Sequence, residues 1–108
     1  MFCAIVAGDI PADVVAQTDT AVAFRDVNPQ APLHVLVVPR THVANAAELA
    51  DVEPETVAEL VRVARRVSSD AGHDSYRLVL NTGADAGQSV FHAHLHVLAG
   101  RTQAWPPG

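Results

Sequence analysis

Residues 90–99, read Val-Phe-His-Ala-His-Leu-His-Val-Leu-Ala, alternate imidazoles with apolar side chains, so His92, His94 and His96 fall at every second position. A period of two is the mark of a strand, because successive side chains leave opposite faces. The segment predicts a strand over 90–99, with Phe91, Ala93, Leu95 and Val97 packed on one face and the three histidines on the other. A lone histidine is ordinarily a satisfied structural residue. A row of three gives a strand no packing advantage, and charged neighbours would repel one another, so the row points to chemistry.

The rest of the pattern places that strand in an α+β fold. Residues 2–7 read as a short N-terminal helix, and "GDIPADVV" as a turn into an extended segment, since Pro11 disfavours helix at Ile10. "AVAFRDV" (21–27), "LHVLVVP" (33–39) and "RLVLN" (77–81) read as strands, the second being β-branched and closed by Pro39. Residues 54–71 predict one long helix, with Val57, Leu60, Val61, Ala64 and Val67 as its apolar stripe, Pro54 in its first turn and Gly72 beyond its end. Tight turns between strands favour an antiparallel sheet.

Which ligands such a chain can take is limited by its charge. The formal charge is −5, there is no lysine, and of the arginines only Arg62, Arg65 and Arg66 cluster. That excludes a broad basic surface for nucleic acid or anionic membrane, so any anion must be held by a small local site. With 108 residues, a single domain spanning 1–108 is expected, ending in an extended tail over 100–108. The one cysteine, Cys3, rules out an intramolecular disulfide. No apolar run approaches the ~20 residues of a membrane span, and "MFCAIVAGDIP" lacks a charged leader, so a cytoplasmic location is expected.

Two chemistries suit the histidine row. In a metal site, two of the three could share an ion with His34, His42 or Cys3. All three could not converge on it easily, because His92 and His96 would lie about 13 Å apart along a strand. In nucleophilic catalysis, a histidine attacks through one ring nitrogen while the other holds its proton against an acceptor, and the flanking imidazoles donate to oxyanions. The preceding loop, "GADAGQS" (83–89), supplies what a phosphate needs: Gly83 and Gly87 for close backbone approach, Gln88 and Ser89 as donors. It lacks the lysine of a Walker loop and runs into a strand rather than a helix.

"HAHLHVL" (92–98) fits the His-x-His-x-His signature of the histidine-triad (HIT) superfamily, with hydrophobic residues following it. "FCAIVAGDIPA", "AFRDVNPQAPLHVLVVPRTH", "RLVLNTGADAGQSVFHAHLHVLAGR" and the terminal "WPPG" extend the likeness over the whole chain, and resemble the Hint branch of nucleotide-binding proteins. The resemblance implies a five-stranded antiparallel sheet with one long and one short helix, and a homodimer that joins two such sheets into one of ten strands. It implies a nucleotide hydrolase, or nucleoside phosphoramidase, acting on purine nucleoside 5′-phosphoramidates or other AMP conjugates. His94 matches the nucleophile, flanked by His92 and His96, with Ser89 near the leaving group and His34 extending the hydrogen-bond chain behind. Asp26 matches the ribose acceptor, and Asn81, Gly87 and Gln88 match phosphate contacts. Phe2, Ile5, Phe24, Val27 and Leu36 correspond to the apolar surroundings of the base, and Trp105 to a residue of a tail near the site.

There are two departures from that pattern. Many bacterial relatives hold a structural zinc through a Cys-x-x-Cys and histidines matching His42 and His92; here Cys3 matches the second cysteine, and the first would fall before Met1. Zinc is therefore expected to be absent or weakly held, with Cys3, His42 and His92 as its candidate ligands, and no cofactor is expected to be required. Arg25 stands where a histidine is common beside the ribose-binding carboxylate, which leaves base preference open. The rival functions are a nucleotide-binding or protein-interaction module with incidental turnover, and a dinucleoside polyphosphate hydrolase.

Overall fold

In the computed structural model, which describes residues 1–108, the chain runs α1 (Phe2–Ala7), β1 (Val14–Gln17), β2 (Ala21–Arg25), β3 (Leu33–Pro39), α2 (Ala46–Val52), α3 (Pro54–Asp70), β4 (Tyr76–Val79) and β5 (Leu95–Ala99). The strands make one five-stranded antiparallel sheet in the order β1-β2-β3-β5-β4. β3 is central, and all of its residues are buried. Its alternation assigns the two faces of the sheet. Leu33, Val35 and Val37 join Ala21, Ala23, Leu95, Val97 and Ala99 beneath α3. Leu36 and Val38 point the other way and pack with Val22, Phe24 and Phe2 of α1.

The long helix buries Leu60, Val63, Ala64 and Val67, an i, i+3, i+4, i+7 stripe. Val57 is only partly buried and Val61 is 44% exposed, because Val61 sits about 100° round the helix from Leu60. Val63 takes the place expected of Val61. α2 was not foreseen, although its start is written in "NAAE". The Asn45 side chain accepts the Glu48 N–H at 3.0 Å, while the Glu48 carboxylate accepts the Ala44 N–H at 3.0 Å. This reciprocal pair closely resembles a capping box.

The histidine segment departs from the expected strand. β5 begins only at Leu95, so His92 and His94 lie in irregular chain just before it. The ladder with β3 stops at the Val37–Leu95 pair although β3 runs on to Pro39, and β4 ends at Val79, opposite His96. Upstream, the Ala93 N–H turns to the Val43 carbonyl at 2.7 Å. His92 and Ala93 are both buried as a result, and Phe91 is 54% exposed instead of packed beneath the helix.

Candidate active site

Register builds one wall of the site. Phe24, Leu36 and His96 are cross-strand partners in a row over β2, β3 and β5, on the face away from α3. Phe2 from α1 covers this row, meeting Phe24 edge-on at a ring separation of 5.6 Å and His94 at 5.1 Å. Between these elements lies a cavity of about 480 Å³, of a size suited to a small-molecule ligand. Phe2, Ile5, Phe24 and Leu36 form its apolar wall, while Asp26, Ser89, His94 and His96 supply its polar groups. A larger groove of about 940 Å³ lies between the start of β4 and residues 98–103, and none of the triad histidines lines it.

Hydrogen bonds fix the proton on each of these imidazoles, through backbone groups at His94 and His34 and through His34 at His96. His94 Nδ1 lies 2.7 Å from the His92 carbonyl oxygen, so it carries the proton and donates it, leaving the Nε2 lone pair free. The Gln30 N–H donates to His34 Nδ1 at 3.0 Å, which puts the neutral His34 proton on Nε2. That nitrogen stands 2.9 Å from His96 Nδ1 and donates to it, so the His96 proton resides on Nε2. Asp26 Oδ2 competes for the same His34 proton from 3.5 Å. Burial holds His34 below the ordinary histidine range, against the raising influence of Asp26. His96 is pushed down to about 4, chiefly by burial and then by His94 and His34. Both therefore remain neutral at physiological pH, and the tautomer chain from Gln30 to His96 persists.

His92 plays a different part from its neighbours. Its side chain is 2% exposed, and Nε2 donates to the Pro39 carbonyl at 3.0 Å. Burial is also the main cause that lowers its pKa. Its Nδ1 faces Cys3 Sγ at 3.4 Å and His42 Nδ1 at 3.0 Å, and the Cys3–His42 separation is 3.2 Å. Ligand bonds of about 2.0–2.3 Å set tetrahedral edges of about 3.3–3.6 Å. The three donors thus form nearly one face of a tetrahedron, and the Pro39 carbonyl orients His92 as outer partners orient ligating histidines. No other histidine, cysteine or carboxylate joins the group. The residues fit three vertices of a zinc site and leave the fourth without a protein donor.

Several expected contacts fall elsewhere. Gln88 is 3% exposed and its side chain is wholly committed: Oε1 accepts the Gly83 N–H at 2.9 Å, and Nε2 donates to Ala44 and Val90 carbonyls at 2.6 and 3.0 Å. It holds the loop shut and has no donor left for a phosphate, contrary to the role expected of it. Its own N–H is spent on the Gly83 carbonyl at 3.1 Å. Asn81 lies beside Gly87, whose φ of +98° needs glycine, and does not line the cavity. Ser89 is exposed and does line it. Val27, although on the rim, is 101% exposed and buries nothing; Trp105 is 84% exposed. Asp13 and Arg25 also border the cavity; the sequence marked Arg25 only as the neighbour of Asp26, and Asp13, which precedes a strand, carries no motif to mark it.

Comparison with known proteins agrees with this fold. The HIT domain family model matches residues 7–103. A HIT-like protein from Synechocystis is 43% identical over 109 residues, an alignment covering 100% of this chain and 96% of the relative. A HIT family hydrolase from Legionella pneumophila superposes with a TM-score of 0.95 at 42% identity, covering 100% of this chain and 98% of that one. A histidine triad protein from Clostridium difficile gives 0.90 at 38% identity, with 95% and 91% covered. With its sheet, its buried histidine chain and these likenesses together, the chain belongs to the HIT family.

Proposed function

We propose that this protein is a metal-independent hydrolase that cleaves the P–N bond of purine nucleoside 5′-phosphoramidates, or the related bond of AMP conjugates, through a nucleotidyl-histidine intermediate. The observation that carries the reading is the His94 ring, whose Nδ1–H is held by the His92 carbonyl at 2.7 Å while the ring lines the cavity. An unprotonated Nε2 is what a histidine nucleophile requires. The Legionella and Clostridium thermocellum relatives, both named HIT family hydrolases, support hydrolysis as the reaction class.

In the first step the His94 Nε2 lone pair attacks the α-phosphorus and the P–N bond breaks. Its electron pair leaves on the amine nitrogen, which takes a proton from water in the open cavity. His96 Nε2–H and the Ser89 hydroxyl donate to the phosphoryl oxygens as charge builds. In the second step water attacks phosphorus and the P–Nε2 bond breaks, returning its electron pair to His94. Nucleoside monophosphate and a proton depart. Asp26, an acceptor-only group on the cavity wall, accepts from the ribose hydroxyls, and the Phe2, Ile5, Phe24 and Leu36 wall holds the base.

A zinc ion on Cys3, His42 and His92 would brace α1 against the segment that carries the His92 carbonyl, and every chemical step proceeds without it. Adenosine 5′-phosphoramidate turnover by the wild type and by His94→Ala, each with and without chelator, tests this. Expected are loss of at least about a thousandfold in the variant and indifference to chelator. Full activity in His94→Ala would remove the nucleophile assignment, and chelator-sensitive turnover would replace it with a metal reaction. Tight nucleotide binding with no turnover of any conjugate would favour a binding module.

A further inference from the structure

The His92 carbonyl that accepts the His94 Nδ1 proton belongs to the same peptide unit as the Ala93 N–H, and that N–H donates to the Val43 carbonyl at 2.7 Å. The Val43 carbonyl in turn shares a peptide unit with the Ala44 N–H, which donates to Glu48 Oε2 at 3.0 Å. Both units are trans, so each sends its C=O and its N–H in opposite directions. Three hydrogen bonds and two peptide units therefore form one chain, from the nucleophile's ring to a carboxylate at the start of α2. Every donor in it points toward Glu48. The capping arrangement with Asn45 holds that carboxylate in place.

Hydrogen bonds aligned in this sense polarise one another. An anion that accepts from a peptide N–H raises the negative charge on the carbonyl oxygen of the same unit, and the next unit responds likewise. We propose that Glu48 is a positioning residue for His94, acting through the 43–44 and 92–93 peptide units to strengthen the acceptor at His94 Nδ1. The consequence for catalysis rests on the proposed function. When Nε2 bonds phosphorus, the ring keeps its Nδ1 proton and becomes cationic, so a stronger acceptor there stabilises the charge as it develops. In the Ser-His-Asp arrangement a carboxylate serves the histidine directly. Here the carboxylate stands two peptide units away and the His92 carbonyl delivers its influence.

Glu48→Gln separates the charge from the cap, because a glutamine amide oxygen still accepts the Ala44 N–H. Two quantities are measured on the full chain: adenosine 5′-phosphoramidate turnover, and the His94 Nδ1–H proton resonance of the free protein. Glu55→Gln, which removes the same charge from the first turn of α3, is the control. Since Glu48 is exposed to water, its charge acts on the scale of a surface ion pair, and Glu48→Gln is expected to lower kcat about threefold with KM unchanged. The resonance should move upfield as the Nδ1–H bond weakens. Glu55→Gln is expected to change neither quantity. Wild-type kcat or an unmoved resonance in Glu48→Gln overturns the inference, leaving Glu48 a helix cap alone. Equal effects in Glu55→Gln also overturn it, since net charge then suffices. If wild type cleaves no conjugate while the resonance moves only in Glu48→Gln, the proposed function falls and the coupling of Glu48 to His94 is upheld.

Discussion

At the scale of single residues, the site depends as much on groups that never touch a ligand as on those that do. Gln88 is the clearest case. Gln88→Leu leaves the Gly83 N–H and the Ala44 and Val90 carbonyls without partners, and should cost about 2–3 kcal/mol in urea unfolding. It should also lower turnover, because the loop that presents Ser89 is released. The histidines carry a pH signature whose sign follows from burial. His96 in the folded chain has a pKa of about 4, below its ordinary 6.5, so the unfolded chain takes up the proton first as pH falls. That contribution to stability is therefore complete above pH 6.5 and declines as the pH drops toward 4. Urea midpoints at pH 7 and pH 5 should differ for wild type, and differ less for His96→Gln. At this scale the sequence marked side chains that do line the cavity, His94, His96 and Ser89, because imidazoles at alternate positions and a hydroxyl beside a glycine loop stand out in a chain of this composition. It did not show that Gln88 is a latch: an amide's partners depend on which carbonyls folding brings near.

At the scale of elements, periodicity located β2, β3 and the long helix, since each buries a face that its pattern dictates. Period two failed at residues 90–94 because the Ala93 N–H turns to the Val43 carbonyl instead of a strand partner, and β4 ends opposite His96. The shortfall has a chemical use. Irregular chain lets the His92 carbonyl curl back to His94 Nδ1, a bond that a regular strand directs to a neighbouring strand instead. α2 was missed because seven residues offer too little periodicity, although Asn45 and Glu48 marked its start. Asn45→Ala should cost about 1 kcal/mol. Since Gln88 Nε2 bonds Ala44 just before this cap, that loss should be accompanied by faster hydrogen exchange at Gly83.

At the scale of the whole molecule, the sheet presents β1 and β4 as its two edges. The resemblance implies a homodimer, and sedimentation equilibrium is expected to return twice the chain mass of 11.4 kDa. A monomer at micromolar concentration would contradict it. No helix is long and apolar enough to cross a membrane. The sequence announced the sheet's division of labour only for the histidine segment; for the sheet as a whole it appears when strands from distant parts of the chain lie side by side. One set of alternate positions, from Ala21 to Ala99, faces α3 and keeps the chain folded. The other set, through Phe24, His34, Leu36 and His96, meets the ligand cavity or the histidine chain behind it. Stability and selectivity are thus encoded on interleaved but separate letters of the same strands. A lineage carrying this fold can drift in what it binds while its scaffold is inherited nearly intact, and descendants can diversify by rewriting every other residue.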